Sequence, residues 1–397
     1  MNQRWMWALA VAACVGIVAT GCDDGVELVD PARLVPNRTP PPTEQGVYGP
    51  LPASSWMNEL YYGRTTEISG PDGTQCARGG PFSFFVTPFE TDRVVIHFQS
   101  GGACWNGQSC AFADGLFSPT VDAARTGFVN GTIRQGLLDF ANPDNPVTGW
   151  THVFVPYCTG DIHWGNRRTT YNEGAGNEVT IQHRGAQNVR AVLSWAERNL
   201  PNAREVLITG CSAGGYASIA WMPWIAEAFP EADIIQIGDS AQGIITDSFF
   251  EESFPAWNAL ELLPEFIPDF DQRNPDFNYL DLSLGALYRI AADFYPQFRF
   301  AGIESSRDST GVFFYSAMGG EGGPEEWSRR MNASVDEIAA AAPNYRFFVG
   351  EGTYHCAVND ARLYELESDG VSLLDWFRAR LDGTAVESVR CSGCVPE

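Results

Sequence analysis

Six short apolar runs recur along the chain: Arg93–Gln99 (RVVIHFQ), His152–Pro156 (HVFVP), Glu205–Thr209 (EVLIT), Asp233–Ile237 (DIIQI), Phe298–Ile303 (FRFAGI) and Tyr345–Val349 (YRFFV). They are aliphatic, β-branched or aromatic without strict alternation, as in strands buried on both faces. Between some of them the period becomes helical. Gly185–Asn199 sets Val189, Val192, Leu193 and Ala196 on one face, and Pro201 ends the run. Ala213–Phe229 and Val371–Leu381 read as two further helices. Strands alternating with helices predict an α/β fold with a doubly wound, mostly parallel sheet. Residues 247–300 break the alternation with Phe249, Phe250, Phe254, Trp257, Phe266, Phe270, Phe277 and Tyr279. They read as a helical, aromatic-rich insertion that either fills the core or covers a substrate.

The first 50 residues stand apart from this pattern. Arg4 precedes an apolar run from Trp5 to Val18, and Ala19-Thr20-Gly21-Cys22 then resembles a bacterial lipobox with Cys22 as the lipidated residue. Residues 1–22 therefore read as a lipoprotein-type signal, the alternative being an ordinary cleaved signal peptide. Residues 23–50 carry six prolines and no apolar period, an extended tether of up to roughly 80 Å. The expected catalytic domain is single and spans 51–397. An exported protein is expected, either anchored to the membrane through Cys22 at the cell envelope or secreted.

Composition removes several function classes. The formal net charge of −24 argues against nucleic-acid binding, which needs a basic footprint, and more weakly against a polyanionic substrate. All 25 basic residues are arginine, which excludes a Schiff-base lysine, a P-loop and a Ser-Lys dyad. Outside Cys14 and Cys22, eight cysteines remain, and export makes them disulfide candidates. Eight cysteines allow 105 pairings. Cys391-Ser392-Gly393-Cys394 has zinc-like spacing without a second pair, so no metal site is expected there.

The candidate chemistry centres on Gly210-Cys211-Ser212-Ala213-Gly214, a G-x-S-x-G stretch between a strand and a helix. That is the context of a nucleophile elbow, where a sharp turn exposes a serine and small neighbours relieve crowding. Of the five histidines only His355 follows Ser212, just after the last core run, which makes it the candidate base. The acid should end a strand beyond the nucleophile strand. Asp308 suits the later strand best; Asp239 and Glu304 are alternatives. The carboxylate is needed to fix the imidazole tautomer and to stabilise the imidazolium. Ser100-Gly101-Gly102-Ala103, after an early strand, offers backbone amides for an oxyanion, beside those at the helix start. Arg167-Arg168 is the best local basic spot near this region, or a solvated turn.

The stretches GCSAGG (210–215), FQSGGACWNGQSC (98–110), PYCTGD (156–161) and HRGAQNVRAVL (183–193) together resemble the pectin acetylesterase/Notum family of α/β-hydrolase-like serine carboxylesterases. The resemblance runs from about residue 56 to 360. It implies an α/β-hydrolase-like fold, with Ser212 as nucleophile and His355 as base. RDSTG at 307–311 resembles the family's acid motif, which implies Asp308 as the acid rather than Asp239. The oxyanion donors implied are the backbone amides of Gly102, Ala103 and Ala213. Disulfides Cys104–Cys110 and Cys76–Cys158 are implied as well. Cys211, Cys356, Cys391 and Cys394 are left unassigned, with a bond from Cys356 to the C-terminal pair as one hypothesis. Ala103 stands where the family commonly has tryptophan, so the pocket wall differs there.

The function expected is a serine carboxylesterase acting on an O-acyl ester of a small molecule or carbohydrate. The ester is that of a polysaccharide such as pectin in one version. No cofactor is implied. The competing classes are a surface-anchored binding lipoprotein with an inactive hydrolase fold and a serine peptidase.

Overall fold

The computed structural model describes residues 50–51, 57–174, 177–242 and 244–396, all within one compact unit. Cys22, the expected signal segment and most of the expected tether lie outside the described residues. No helix among the described residues is long and apolar enough to cross a membrane.

All six apolar runs form strands of one ten-stranded sheet. In chain order its strands are β1 (Pro50–Leu51), β2 (Thr66–Ser69), β3 (Ser83–Thr87), β4 (Glu90–Phe98) and β5 (Trp150–Val155). A separate two-stranded hairpin, β6 (Arg167–Gly174) and β7 (Asn177–His183), follows. The main sheet resumes with β8 (Glu205–Cys211), β9 (Asp233–Asp239), β10 (Arg299–Ser305) and β11 (Tyr345–Gly350), and its outer edge is Val389–Arg390. The spatial order is β1-β2-β3-β5-β4-β8-β9-β10-β11 and then that edge strand. From β5 onward every pairing is parallel, whereas β3 runs antiparallel to both β2 and β5. The chain passes from β4 outward to β5 and then returns to β8 on the other side of β4. The crevice at the carboxyl ends of β4 and β8 is therefore a topological switch point, where open α/β sheets bind ligands.

Alternate residues of the central strands enter two cores. Val94, Ile96 and Phe98 pack with Val206, Ile208 and Ile234 on one side; Val95 packs with Leu207, Ile235, Ile303 and Phe348 on the other. The first side is covered by helices α1 (Gly185–Asn199) and α2 (Ala213–Ala228) through residues such as Val189, Val192, Ile219 and Met222. Leu373–Leu381 covers the second with Trp376, Phe377 and Leu381.

The insertion holds two helices, α3 (Asp247–Trp257) and α4 (Leu284–Phe294), joined by short 3-10 turns. Phe249, Phe250, Phe254, Trp257 and Phe270 are buried, so most of its aromatic content is core. Helices α5 (Ser309–Ala317) and α6 (Gly323–Ala341) and the hairpin have no counterpart among the expected elements. Arg167 and Arg168 sit on β6 rather than in a solvated turn, and Arg167 Nη1 donates to the Pro255 carbonyl at 3.0 Å.

Four disulfides are present among the described residues. Cys76–Cys158 and Cys104–Cys110 are two of them. The hypothesis that Cys356 bonds the C-terminal pair is corrected: Cys391 and Cys394 bond each other, and Cys356 bonds Cys211. Cys211 ends β8 and Cys356 follows His355, so that bond joins two loops at the carboxyl edge of the sheet.

Candidate active site

Ser212 lies between the last residue of β8 and the first of α2, at φ +55° and ψ −122°. A non-glycine residue there carries strain of roughly 1–3 kcal/mol. Two contacts hold the turn: the Ser212 amide donates to the Asp239 carbonyl at 2.9 Å, and the Tyr216 amide donates to the Ser212 carbonyl at 3.0 Å. The helix start crosses the end of β4 so closely that a Cβ at Gly214 would stand 2.1 Å from the Phe98 carbonyl oxygen. A Cβ at Gly210 would meet the same oxygen at 2.5 Å. The small residues of the motif are thus a packing requirement of the elbow.

Asp308 follows β10 and caps α5. Its Oδ1 accepts the amides of Thr310 at 2.8 Å and Gly311 at 3.0 Å, leaving Oδ2 for the His355 ring. His355 Nδ1 lies 2.6 Å from that Oδ2. A carboxylate only accepts, so Nδ1 carries the proton and Nε2 is left as the basic nitrogen. Asp308 is buried, whereas His355 keeps about a fifth of its side chain exposed. Ser212, Asp308 and His355 all line one cavity of about 600 Å³, counting its open mouth.

The two alternative acids are placed elsewhere. Asp239 ends β9 and is fully buried; its Oδ2 accepts the amides of Ala357 at 2.6 Å and Val358 at 2.8 Å. Burial raises its carboxyl to about 6 against the pull of those two amides. Glu304 Oε1 accepts the amides of Ala241 and Gln242, and Oε2 has no partner among the described residues. Burial pushes Glu304 well above the usual carboxylate range. Neither bonds the imidazole.

One of the expected oxyanion donors is corrected. The Gly102 amide is already committed to the Leu116 carbonyl at 3.0 Å. A Cβ at Gly102 would meet that same oxygen at 2.5 Å, so this glycine serves close packing. The amides of Ala103 and Ala213 have no hydrogen-bond partner among the described residues, and both residues line the cavity.

Most of the remaining lining is apolar, with Ser240 and Tyr216 beside it: Trp105, Ile162, Ile244, Ile245, Phe249, Phe314, Met318 and Trp327, of which sequence reasoning singled out only Phe249. Phe249 is the one insertion aromatic among them. Ile162 enters the cavity from a left-handed turn in which it has φ +49° and His163 +65°. The buried Asp161 carboxylate steadies that turn by accepting the amides of His163, Gly165 and Gly185. The PYCTGD stretch was the available signal, since a buried aspartate after a glycine marks a stitched turn; Ile162 itself carries none.

Two residue groups among the described residues bring metal-binding atoms together, Cys104–Cys110–His183 and Cys211–His355–Cys356. In both the cysteines are disulfide-bonded, so neither offers a thiolate.

A mostly parallel sheet with a serine on a strained strand-to-helix turn, sharing a cavity with a histidine from a later loop, fits the α/β-hydrolase fold. Residues 62–248 match the family model described as PAE: Pectinacetylesterase. The match includes Ser212 and the Gly101–Ala103 loop and stops short of Asp308 and His355. Pectin acetylesterase 7 of Arabidopsis thaliana is 29% identical over 126 residues, 32% of this chain and 30% of that protein. Pectin acetylesterase 5 of the same plant is 26% identical over 139 residues, 34% and 31% of the two chains. The chain thus spans about a third of the length of these relatives. The Wnt deacylase Notum from Drosophila superposes with a TM-score of 0.58 at 16% identity, over 83% of this chain and 96% of that one. A second crystal form gives 0.56 at 17% identity over 81% and 96%. At such identity the likeness establishes the fold. Over residues 62–248 the chain is thus similar in sequence to pectin acetylesterases, and over most of its length it shares the fold of Notum.

Proposed function

We propose that the protein is an exported serine carboxylesterase. The observation that carries this reading is the His355–Asp308 contact of 2.6 Å in a cavity that Ser212 shares. Ser212 Oγ attacks the ester carbonyl while His355 Nε2 takes its proton. The oxyanion is held by the amides of Ala103 and Ala213, and the α2 N-terminus adds its dipole. His355 returns the proton to the departing alcohol. It then takes a proton from water, which attacks the acyl-enzyme, and gives that proton to Ser212 Oγ as the acid is released. Asp308 holds the imidazole in the tautomer that leaves Nε2 free.

The apolar lining favours an ester with an apolar acyl group. Acetylated polysaccharide is the second reading, favoured by the named pectin acetylesterases. A net charge of −24 disfavours a polyuronate as the alcohol side. Four disulfides accord with an oxidising compartment, and Cys22 is the proposed lipidation site.

A fluorophosphonate probe and p-nitrophenyl esters of two to eight acyl carbons test this. Labelling of the wild type, none of Ser212→Ala with an unchanged melting temperature, and a kcat/KM that rises with chain length are expected. An unlabelled wild type would return the protein to the binding-lipoprotein class. Faster turnover of amides than esters would make it a peptidase.

A further inference from the structure

Asp239 was the rival acid, yet its carboxylate faces backbone. Oδ2 accepts two consecutive amides, Ala357 at 2.6 Å and Val358 at 2.8 Å. Ser240 Oγ accepts the amide before them, Cys356, at 3.0 Å and donates to Asp239 Oδ1 at 3.3 Å. Three successive amides after His355 are therefore anchored on Asp239-Ser240. The Asp239 carbonyl also accepts the Ser212 amide at 2.9 Å. One buried residue thus grips the nucleophile turn with its backbone and the histidine loop with its side chain.

Other bonds fix the flanks of the loop: the Gly352 carbonyl accepts the Arg307 amide at 2.9 Å, the Thr353 carbonyl accepts the Ser309 amide at 3.2 Å and the Val358 carbonyl accepts the Leu137 amide at 2.9 Å, whereas the amides of residues 356–358 are held by Asp239 and Ser240. Residues 351–361 form no helix or strand, and Cys356 is left-handed at φ +69°. Ser240 is left-handed too, at φ +50°, which turns its hydroxyl towards the loop. The Cys211–Cys356 bond ties the same two loops covalently, one residue before the nucleophile and one residue after the base. Hydrogen bonds from buried amides to a carboxylate are among the stronger ones, and losing the acceptor leaves both donors unpaired.

We propose that Asp239 is a positioning residue: it sets the distance between His355 and Ser212 by holding the amides of Ala357 and Val358 against the nucleophile turn. This rests on His355 being the general base. The role requires an oxygen at the Oδ2 position and makes no demand on charge at the imidazole.

The test uses the full mature protein with Asp239→Ala, Asp239→Asn and Asp239→Glu, assayed for kcat and KM well below melting. Asparagine keeps an acceptor oxygen in place without the charge; glutamate keeps the charge and moves the oxygens by a methylene. Alanine is expected to lower kcat about 100-fold with KM within about threefold, since a shift of about 1 Å in a reacting group costs about that much. Asparagine should hold kcat within about tenfold of the wild type and above glutamate. Hydrogen exchange at residues 356–358 should quicken in the alanine and glutamate variants and stay slow in asparagine. Should alanine fail to fold, the order of asparagine and glutamate carries the test. Glutamate equal to or above asparagine overturns the proposal in favour of a charge effect, and wild-type kcat in the alanine variant overturns it outright. His355→Ala is the control for the underlying reading. If it keeps turnover, the base assignment itself falls, whereas an inactive His355→Ala with the aspartate order reversed sinks only the positioning role.

Discussion

Replacing Asp308 with asparagine isolates the tautomer from the geometry. Asp308 Oδ1 accepts two backbone amides, Thr310 at 2.8 Å and Gly311 at 3.0 Å. An asparagine must therefore keep its carbonyl oxygen on that side. The flipped rotamer would set its NH2 group against two N–H donors, leaving each buried amide unpaired at about 1–3 kcal/mol. The NH2 group is thus forced to face His355 Nδ1. That nitrogen must then accept, which moves the ring proton to Nε2, where it blocks transfer from Ser212. The helix cap survives, so stability should change by less than about 1 kcal/mol. The catalytic loss for such a tautomer error is on the order of 10⁴ in kcat, equivalent to about 5.5 kcal/mol of barrier. The assay is kcat on a p-nitrophenyl ester at pH 7.5, with a thermal melt on the same preparation. A variant that keeps more than about a tenth of wild-type kcat would refute the reasoning, because the capping amides would then not be dictating the rotamer. Asp308→Ala is a blunter change, since it removes the cap as well.

Two stability predictions follow from other groups near the site. Glu304 has its carboxyl raised far above the unfolded value by burial, so its favourable contribution is full at low pH and is lost as pH rises through the folded value. Glu304→Gln keeps an oxygen for the amides of Ala241 and Gln242 and cannot ionise. The stability of the variant relative to wild type should therefore improve between pH 5 and pH 8, by up to roughly 1.4 kcal/mol per pH unit over the range that separates the two carboxyl values. Urea unfolding of both proteins at the two pH values measures this, and an equal difference at both contradicts it. For the disulfides, Cys211–Cys356 closes a sequence separation of 145 and Cys104–Cys110 one of 6. Chain entropy assigns them about 5 and about 2 kcal/mol respectively. The double alanine variant of the long link should lose more in urea unfolding than that of the short one, and the opposite order contradicts the entropy account.

What the chain determines by itself is what local pattern can carry. The apolar runs read as buried strands because their centres are aliphatic or aromatic on both faces, with charged residues mostly at their ends, and all six take up the sheet. Strand, elbow and helix around Ser212 are encoded in contiguous residues, because the close crossing with β4 admits only small side chains at Gly210 and Gly214. His355 is marked by position, as the single histidine after the serine. The aromatics of 247–300 were legible as a cluster but not as core or cover; most are buried, and Phe249 reaches the cavity. The edge strands β2 and β3 and the hairpin went unread because their runs are short or polar, and partners distant in sequence pair them.

Tertiary structure decided everything that depends on a distance between loops. Asp239, Glu304 and Asp308 all lie at or just beyond the carboxyl ends of core strands and all become buried; strand order and the RDSTG resemblance favour Asp308 but give no distance. The approach to 2.6 Å from His355 is made by Asp308, while the two amides that follow Cys356 in the histidine loop go to Asp239. Gly102 stands in the expected glycine loop, but its amide is taken by Leu116 through a fold-back that no nearby residue signals. Among 105 pairings, Cys211 and Cys356 meet because β8 and the histidine loop end at the same edge of the sheet. Periodicity and turn chemistry act over a few residues and can be read in sequence. The meeting of carboxylate, amide, thiol and imidazole depends on where separate strands end in space, and that is set by the packing of the whole sheet.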